Sequence, residues 1–384
     1  MAMTRRELGT LALPGLSAAA LLTRPLVRAL AAQTRPNSKF GGVQIGVITY
    51  SYRSMPDQSA EATLRYVLDS GINAIELMDG PAEMFAGRPS AGRGGARGGG
   101  RAGAAAALAQ GPAAPAVPAP AVAQSLADVQ AGIPCAPARG GGAGAGGGGR
   151  GGGGGRAQAT PEQLAAAEEL RAWRTSVSMD TFRELRRMYN DAGVTIYAYK
   201  PDGLQKNMQT SDAEFDYVFG AAAALGASHL TMELPGGPDA EAMLTRMAQF
   251  GEKHQVYVGY HTHGQGSMTA FDQALALSRW NTSNVDLGHY VAAGNVGGTP
   301  VQFLERFHDR ISSFHLKDRT LPSHCALTVP FGTGDGQLRE ILLTMKRNQW
   351  TFPASVELEY RVPADSDAVK EVRKCVEFCR SVLA

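Results

Sequence analysis

Long apolar runs and a cysteine scaffold are both missing from this 384-residue chain. Its one extended apolar stretch, near the N-terminus, is too short and too interrupted to span a bilayer. Four cysteines in a chain of this length do not make a disulfide framework. Cys375 and Cys379 share a face of what reads as the last helix, but no further Cys or His lies near enough in sequence to close a zinc site. The thiols are therefore expected to be buried or idle. An excess of one charge is missing too. Lys plus Arg is 37 against 35 for Asp plus Glu, and a net charge of +2 argues against a surface built to neutralise a nucleic-acid backbone. What is present is 44% hydrophobic residues, enough for a large core, and 47 glycines, too many for an evenly composed globular chain. Some segment must be biased.

Two stretches read as lying outside the fold. Over 1–35, Thr4-Arg5-Arg6-Glu7-Leu8 precedes a modest apolar region at 11–22 and a small-x-small pattern, Ala29-Leu30-Ala31. Paired arginines in that setting resemble a twin-arginine export signal, so a periplasmic or exported protein is expected. From 91 to 158 the chain holds 22 glycines in 68 residues, with Asp128 as its only acid. Such a segment cannot bury enough side chain to offset its ordering entropy, and it is expected to be disordered. Its Arg93, Arg97 and Arg101 repeats look like a nucleic-acid box but read better as an unselected loop expansion. Without the two stretches roughly 280 residues are left, a length that suits one α/β barrel.

The rest alternates strand and helix eight times. Strands are predicted at 44–52, 74–78, 195–200, 229–234, 256–263, 284–290, 311–317 and 354–360. Helices are predicted at 60–70, 161–191, 213–225, 240–254, 268–280, 301–310, 338–348 and 368–383, with caps such as Thr160-Pro161, Ser211-Asp212 and Thr299-Pro300. Strict alternation implies parallel strands with helical crossovers, and eight units close a ring. The predicted fold is a single (β/α)8 TIM barrel over 43–384, interrupted after its second strand by the insertion.

Chemistry in such barrels sits at the C-terminal ends of the strands. Those ends read Thr231-Met232-Glu233-Leu234, Tyr260-His261-Thr262-His263, Asp286-Leu287-Gly288-His289, Phe314-His315-Leu316-Lys317-Asp318 and Val356-Glu357-Leu358-Glu359. Period-two geometry puts His261 with His263, His315 with Lys317, and Glu357 with Glu359 on shared faces. Burying so many ionisable groups at one mouth is costly unless they pair or bind a metal, and a mixed Glu/Asp/His set suits manganese, cobalt, magnesium or zinc.

These motifs, with the loop Gly332-Thr333-Gly334-Asp335-Gly336, resemble the sugar phosphate isomerase/epimerase group of the xylose isomerase-like TIM-barrel superfamily. The resemblance implies one divalent metal held by Glu233, Asp286, His315 and Glu357, with Glu233 ranked ahead of His261 as the ligand the family takes from an earlier strand. It implies substrate contacts from His261, His263, His289 and Lys317, and reads Glu359 as an outer or solvent residue. The implied activity is sugar isomerisation or epimerisation through a cis-enediolate, with Glu233 and Glu357 moving the proton. Other readings of the same barrel are a lyase or dehydratase eliminating from a 3-keto-sugar, an endonuclease IV-like phosphodiesterase, and a non-catalytic sugar-binding protein. The partner expected is a small-molecule sugar, without nucleic acid or a stable membrane span, and a homo-oligomer is compatible with the reading.

Overall fold

Strands β1 (Val43–Ile48), β2 (Ala74–Met78), β3 (Thr195–Lys200), β4 (His229–Glu233), β5 (Tyr257–His261), β6 (Asn281–Ser283), β7 (Phe314–Leu316) and β8 (Ala354–Val356) lie side by side and parallel, in the ring order 6-5-4-3-2-1-8-7. Single bridges Ser283–Ile311 and Asp286–His315, with His315 N donating to Val285 O at 2.9 Å, close the gap between β6 and β7. The computed structural model describes residues 35–89, 135, 160–204 and 207–384. The leader up to residue 34, and the insertion apart from Cys135, lie outside the described residues, as do the expectations placed on them.

The alternation of β1 explains the layering. Val43, Ile45 and Val47 are fully buried beneath the helices, whereas Gly46 faces the interior, where a Cβ would stand 2.6 Å from the Tyr197 hydroxyl. Below the mouth the interior holds polar pairs: His229 Nε2 lies 2.8 Å from Ser313 Oγ, and Asn284 donates to the same oxygen at 2.6 Å. Helices α1 (Ala60–Asp69), α2 (Asp79–Phe85), α3 (Pro161–Arg174), α4 (Met179–Asp191), α5 (Asp212–Leu225), α6 (Ala240–His254), α7 (Asp272–Leu277), α8 (Leu287–Ala292), α9 (Pro300–Phe307), α10 (Leu338–Asn348) and α11 (Ala368–Leu383) surround the strands. Thr160, Ser211 and Thr299 cap their helices in reciprocal boxes with Gln163, Glu214 and Gln302, as their sequences predict. No helix among the described residues is long and apolar enough to cross a membrane.

Several expectations need correction. The strand predicted at 284–290 is instead Asn281–Ser283, followed by helix α8. Polar residues misdirect that reading: Asn281 is fully buried, because Tyr260 and the Ala274 carbonyl satisfy its side chain, while Asp286 leaves the strand to cap α8 through His289 N at 2.7 Å. The long helix at 161–191 is two helices. Thr175 and Ser176 turn their hydroxyls back to Arg171 and Ala172 carbonyls, and Ser178 caps the next start. The helix at 268–280 shrinks to α7, and α2 is an addition to the predicted set. The thiols are not all idle either: Cys135 and Cys325 form a disulfide, while Cys375 and Cys379 are free and buried.

The flanks of the insertion are clamped together. Glu83, near the end of α2, meets Arg174, the last residue of α3, at 2.8 Å, with both side chains buried. Tyr217 donates to the same carboxylate oxygen at 3.0 Å. Because the ends are already held, removing the loop between them changes closure entropy little. Deleting 91–158 through a short Gly-Ser joint, in a Cys325→Ser background, should keep the circular dichroism spectrum and melt within a few degrees of Cys325→Ser alone. A collapse of the melting temperature would show that the insertion packs on the core.

Candidate active site

The rim site starts from one misfit in β2. Glu76 is the only charged residue of Ala-Ile-Glu-Leu-Met, and it is fully buried. The ladder between β2 and β3 shifts register between Ile75 and Glu76. A shift of that kind re-aims a side chain. Glu76 Oε2 lies 3.0 Å from His315 Nε2, a contact across the barrel from β7. The other ring nitrogen, Nδ1, is 3.0 Å from Glu357 Oε2 and 3.8 Å from Asp286 Oδ2. Burial alone would push the His315 imidazole down, but the Glu76 and Glu357 carboxylates raise it to about 10. Without a metal ion His315 is therefore a cation held between carboxylates, and an ion at Nδ1 would take the place of that nitrogen's proton.

Lys317 supplies the second cation. Its ammonium lies 2.9 Å from Asp286, 2.8 Å from Glu357 and 2.6 Å from Glu359, on a side chain that is fully buried. The Asp-Leu-Gly-His motif makes room for it, since a Cβ on Gly288 would stand 2.2 Å from Lys317 Cγ. Glu76, Asp286, Glu357 and Glu359 are thus laced together by His315 and Lys317, with Lys200 acting on Glu76 and Arg319 on Asp286 and Glu359.

His261 shows where a divalent cation would fit. Its Nδ1 lies 3.1 Å from Asn284 Oδ1 and 3.2 Å from Asn284 O, so it carries the proton, and Nε2 presents a lone pair. That lone pair faces Asp286 Oδ2 at 4.0 Å. Burial, with His315 and Lys200 nearby, lowers His261 to about 3, so the ring is neutral. Ligand atoms of His261, Asp286 and His315 all lie within 4.8 Å of one another, and the three residues are buried. Two acceptors facing each other beside a third is a donor set that fits a divalent cation. Glu76, bonded to the far nitrogen of His315, would fix that ring's orientation as outer carboxylates do at metal-bound histidines.

Glu233 sits apart from Asp286. Lys200, at the end of β3, holds Oε1 at 3.0 Å, and His263 holds Oε2 at 3.0 Å. Burial would raise this carboxyl, but Lys200 and His263 hold it well below the usual carboxylate range. With His261 and His263 it makes a second group of adjacent ligand atoms. His289 is neutral, lowered to about 2 by burial, Lys317 and Arg319. Its Nδ1 accepts from Arg319 at 2.7 Å, so the protonated Nε2 is left without a partner and lies 3.9 Å from Glu359. That is a donor ready for a substrate oxygen.

Of the residues named from sequence, Asp286, His315, Glu357 and Lys317 meet directly, and His261 joins them. Glu233 and His263 form the neighbouring pair, and Glu359 touches Lys317 instead of standing in solvent. Glu76, Lys200 and Arg319 escape a reading of the sequence alone. A lone acid inside an otherwise apolar parallel strand is the available signal for Glu76. The glycine loop anchors itself on one carboxylate. The backbone N–H groups of Gly332, Thr333, Gly334 and Gly336 all donate to Asp318, at 2.8 to 3.1 Å, fixing the loop beside Arg319.

The buried histidines give a pH prediction. His229, lowered to about 4 by burial, sits with His261 and His289 far below the ordinary value near 6.5. The unfolded chain therefore binds more protons than the folded one between pH 6.5 and 4. Stability is fully present above 6.5 and falls with acid, by about 1.4 kcal/mol per pH unit per histidine. His315 acts oppositely, losing its contribution as pH rises toward 10. Melting of the protein in EDTA should peak near neutrality and drop steeply by pH 4.5. A flat profile over that range would contradict neutral buried histidines.

A parallel eight-stranded α/β barrel with ionisable side chains gathered at its C-terminal rim is of the TIM-barrel class. A family model described as xylose isomerase-like TIM barrel matches residues 163–382, and the chain belongs to that family. Among solved structures it is similar to a sugar phosphate isomerase/epimerase from Parabacteroides distasonis, at 13% identity and TM-score 0.51, over 89% of this chain and 96% of that one. A probable 3-DHS dehydratase from Bacillus anthracis aligns at 12% identity and TM-score 0.49, over 86% and 98% of the two chains. A D-psicose 3-epimerase aligns at 13% and 0.42, over 55% and 86%. These likenesses are of fold. No curated protein matches the sequence.

Proposed function

We propose that the protein is a divalent-metal-dependent isomerase or epimerase of a sugar or keto-sugar. The observation that carries the reading is the facing pair of acceptors, His261 Nε2 and Asp286 Oδ2, in one buried cluster with His315 Nδ1. The proposed ligands are His261, Asp286, His315 and Glu357. A divalent ion there would polarise a carbonyl and its neighbouring hydroxyl, acidifying the C–H between them.

The remaining steps belong to the chain's own side chains. His289 Nε2–H orients a substrate oxygen, while Lys317, its three N–H groups taken by Asp286, Glu357 and Glu359, holds those carboxylates in place. Glu357 on the β8 side and Glu233 at the end of β4 lie four strands apart in a ring of eight, across the mouth from each other. Glu233 removes the proton, and Glu357 relays one from the Lys317 ammonium 2.8 Å away to the opposite face, which inverts the carbon; exchange with solvent resets both groups. Lys200 and His263 keep Glu233 ionised and ready to accept. The test is proton NMR in deuterated water with manganese and a panel of ketohexoses. Deuterium entering at the carbon next to the carbonyl supports the reading, and elimination without exchange into recovered substrate would point to a lyase. No exchange and no turnover with any ketose or metal would remove it.

A further inference from the structure

Between the loop after β7 and the start of α11 lies a cavity of about 590 Å³ that none of the steps above uses. At one end it reaches Glu359, whose Oε2 accepts from Lys317 at 2.6 Å and lies 3.9 Å from His289 Nε2. The cavity therefore adjoins the side chain that would orient the sugar. Its walls are largely apolar: Leu327, Val329 and Phe331 from the loop, Tyr360 and Pro363 after β8, and Phe378 from α11. Phe331 and Phe378 meet edge to face at 5.9 Å. The buried acid in the wall is already satisfied, because Glu371 accepts from Tyr360 at 2.9 Å and pairs with Lys374 at 2.7 Å. Arg361 and Lys374 stand exposed at the rim. The loop wall is held in place by the backbone N–H groups that bind Asp318.

A cavity of this size, apolar, with a fixed wall and one charged end at the reaction centre, has the build of a small-molecule subsite. It offers aromatic edges and few vacant donors or acceptors, so it suits an aromatic ring better than a second sugar. We propose that it holds an aryl substituent of the substrate, whose sugar ring lies at His289 and Glu359, making the natural substrate class an aryl-substituted sugar. The proposal rests on the sugar reading above.

The experiment is calorimetric titration of the full chain with methyl β-D-glucopyranoside, 4-nitrophenyl β-D-glucopyranoside and 4-nitrophenol. It is repeated on Thr328→Trp and Leu327→Trp, two independent ways of filling the cavity. The aryl glycoside should bind wild type about tenfold tighter than the methyl glycoside, as burial of one ring would give. Either folded variant should erase that advantage and leave methyl glycoside affinity unchanged. Equal affinities in wild type, or a preference that survives in both variants, would overturn the subsite while the sugar reading stands. Binding of 4-nitrophenol alone, lost in the variants, would keep the aryl site and remove the sugar reading. Binding of none of the three would overturn the subsite.

Discussion

Replacing His315, a proposed metal ligand, with Ala should strip metal and the proposed turnover together while leaving the barrel folded. The imidazole stands between Glu76, Asp286 and Glu357, and its removal leaves three buried carboxylates with one cation fewer. The fold should survive because the helix-facing core is built from other residues, such as Val43, Ile45 and Val47. Glu357→Gln should act differently: it keeps the shape and one oxygen donor but loses the carboxylate proposed to move the proton, so exchange should fall about 10²–10⁴-fold, further than metal content. Glu76→Gln touches neither metal nor substrate and should weaken metal binding by about 10–100-fold through the orientation of His315. Metal content by mass spectrometry, read beside deuterium exchange, separates the three. Full metal and full exchange in His315→Ala would put the site elsewhere on the barrel.

Arg174→Met should cost the most stability of any single change away from the rim. Arg174 and Glu83 are 5% and 1% exposed, and they form the clamp that joins the two flanks of the insertion. Breaking a buried pair from one side leaves an uncompensated charge, at a cost of about 3–5 kcal/mol. For a domain of this size that is a fall of about 10 °C in melting temperature. Arg88, 3.1 Å from the same carboxylate, and Tyr217 soften the loss but do not replace a buried guanidinium. The double variant Glu83→Gln, Arg174→Met should recover part of it, because the orphaned charge is gone. Differential scanning calorimetry of both variants checks the pair. A single variant that melts with wild type would show the clamp to be ornamental to the fold.

Much of the architecture is legible along the chain. Strand and helix periods, Pro at helix starts and caps three residues ahead of Gln or Glu are local signals, and Thr160, Ser211 and Thr299 cap their helices as expected. Where local signals conflict, the reading slips. Asn281 looks like a loop residue and lies in a strand, because its partners, Tyr260 and the Ala274 carbonyl, are supplied by neighbouring elements.

The order of the eight strands, the barrel class and most of the rim residues were legible in the sequence itself, since each depends on neighbours a few positions apart. Which of those rim residues touch was decided only in three dimensions. Glu76 and His315 are 239 residues apart and meet at 3.0 Å because a register shift on one side of the ring aims one at the other. The tautomer of His261 depends on Asn284, the charge of His315 on carboxylates from two other strands, and the place of Lys317 on a glycine in α8. The Cys135–Cys325 disulfide spans 190 residues and belongs to the same kind. Contact between distant segments is set by how the ring closes, and a side chain's protonation follows from what that closure packs against it.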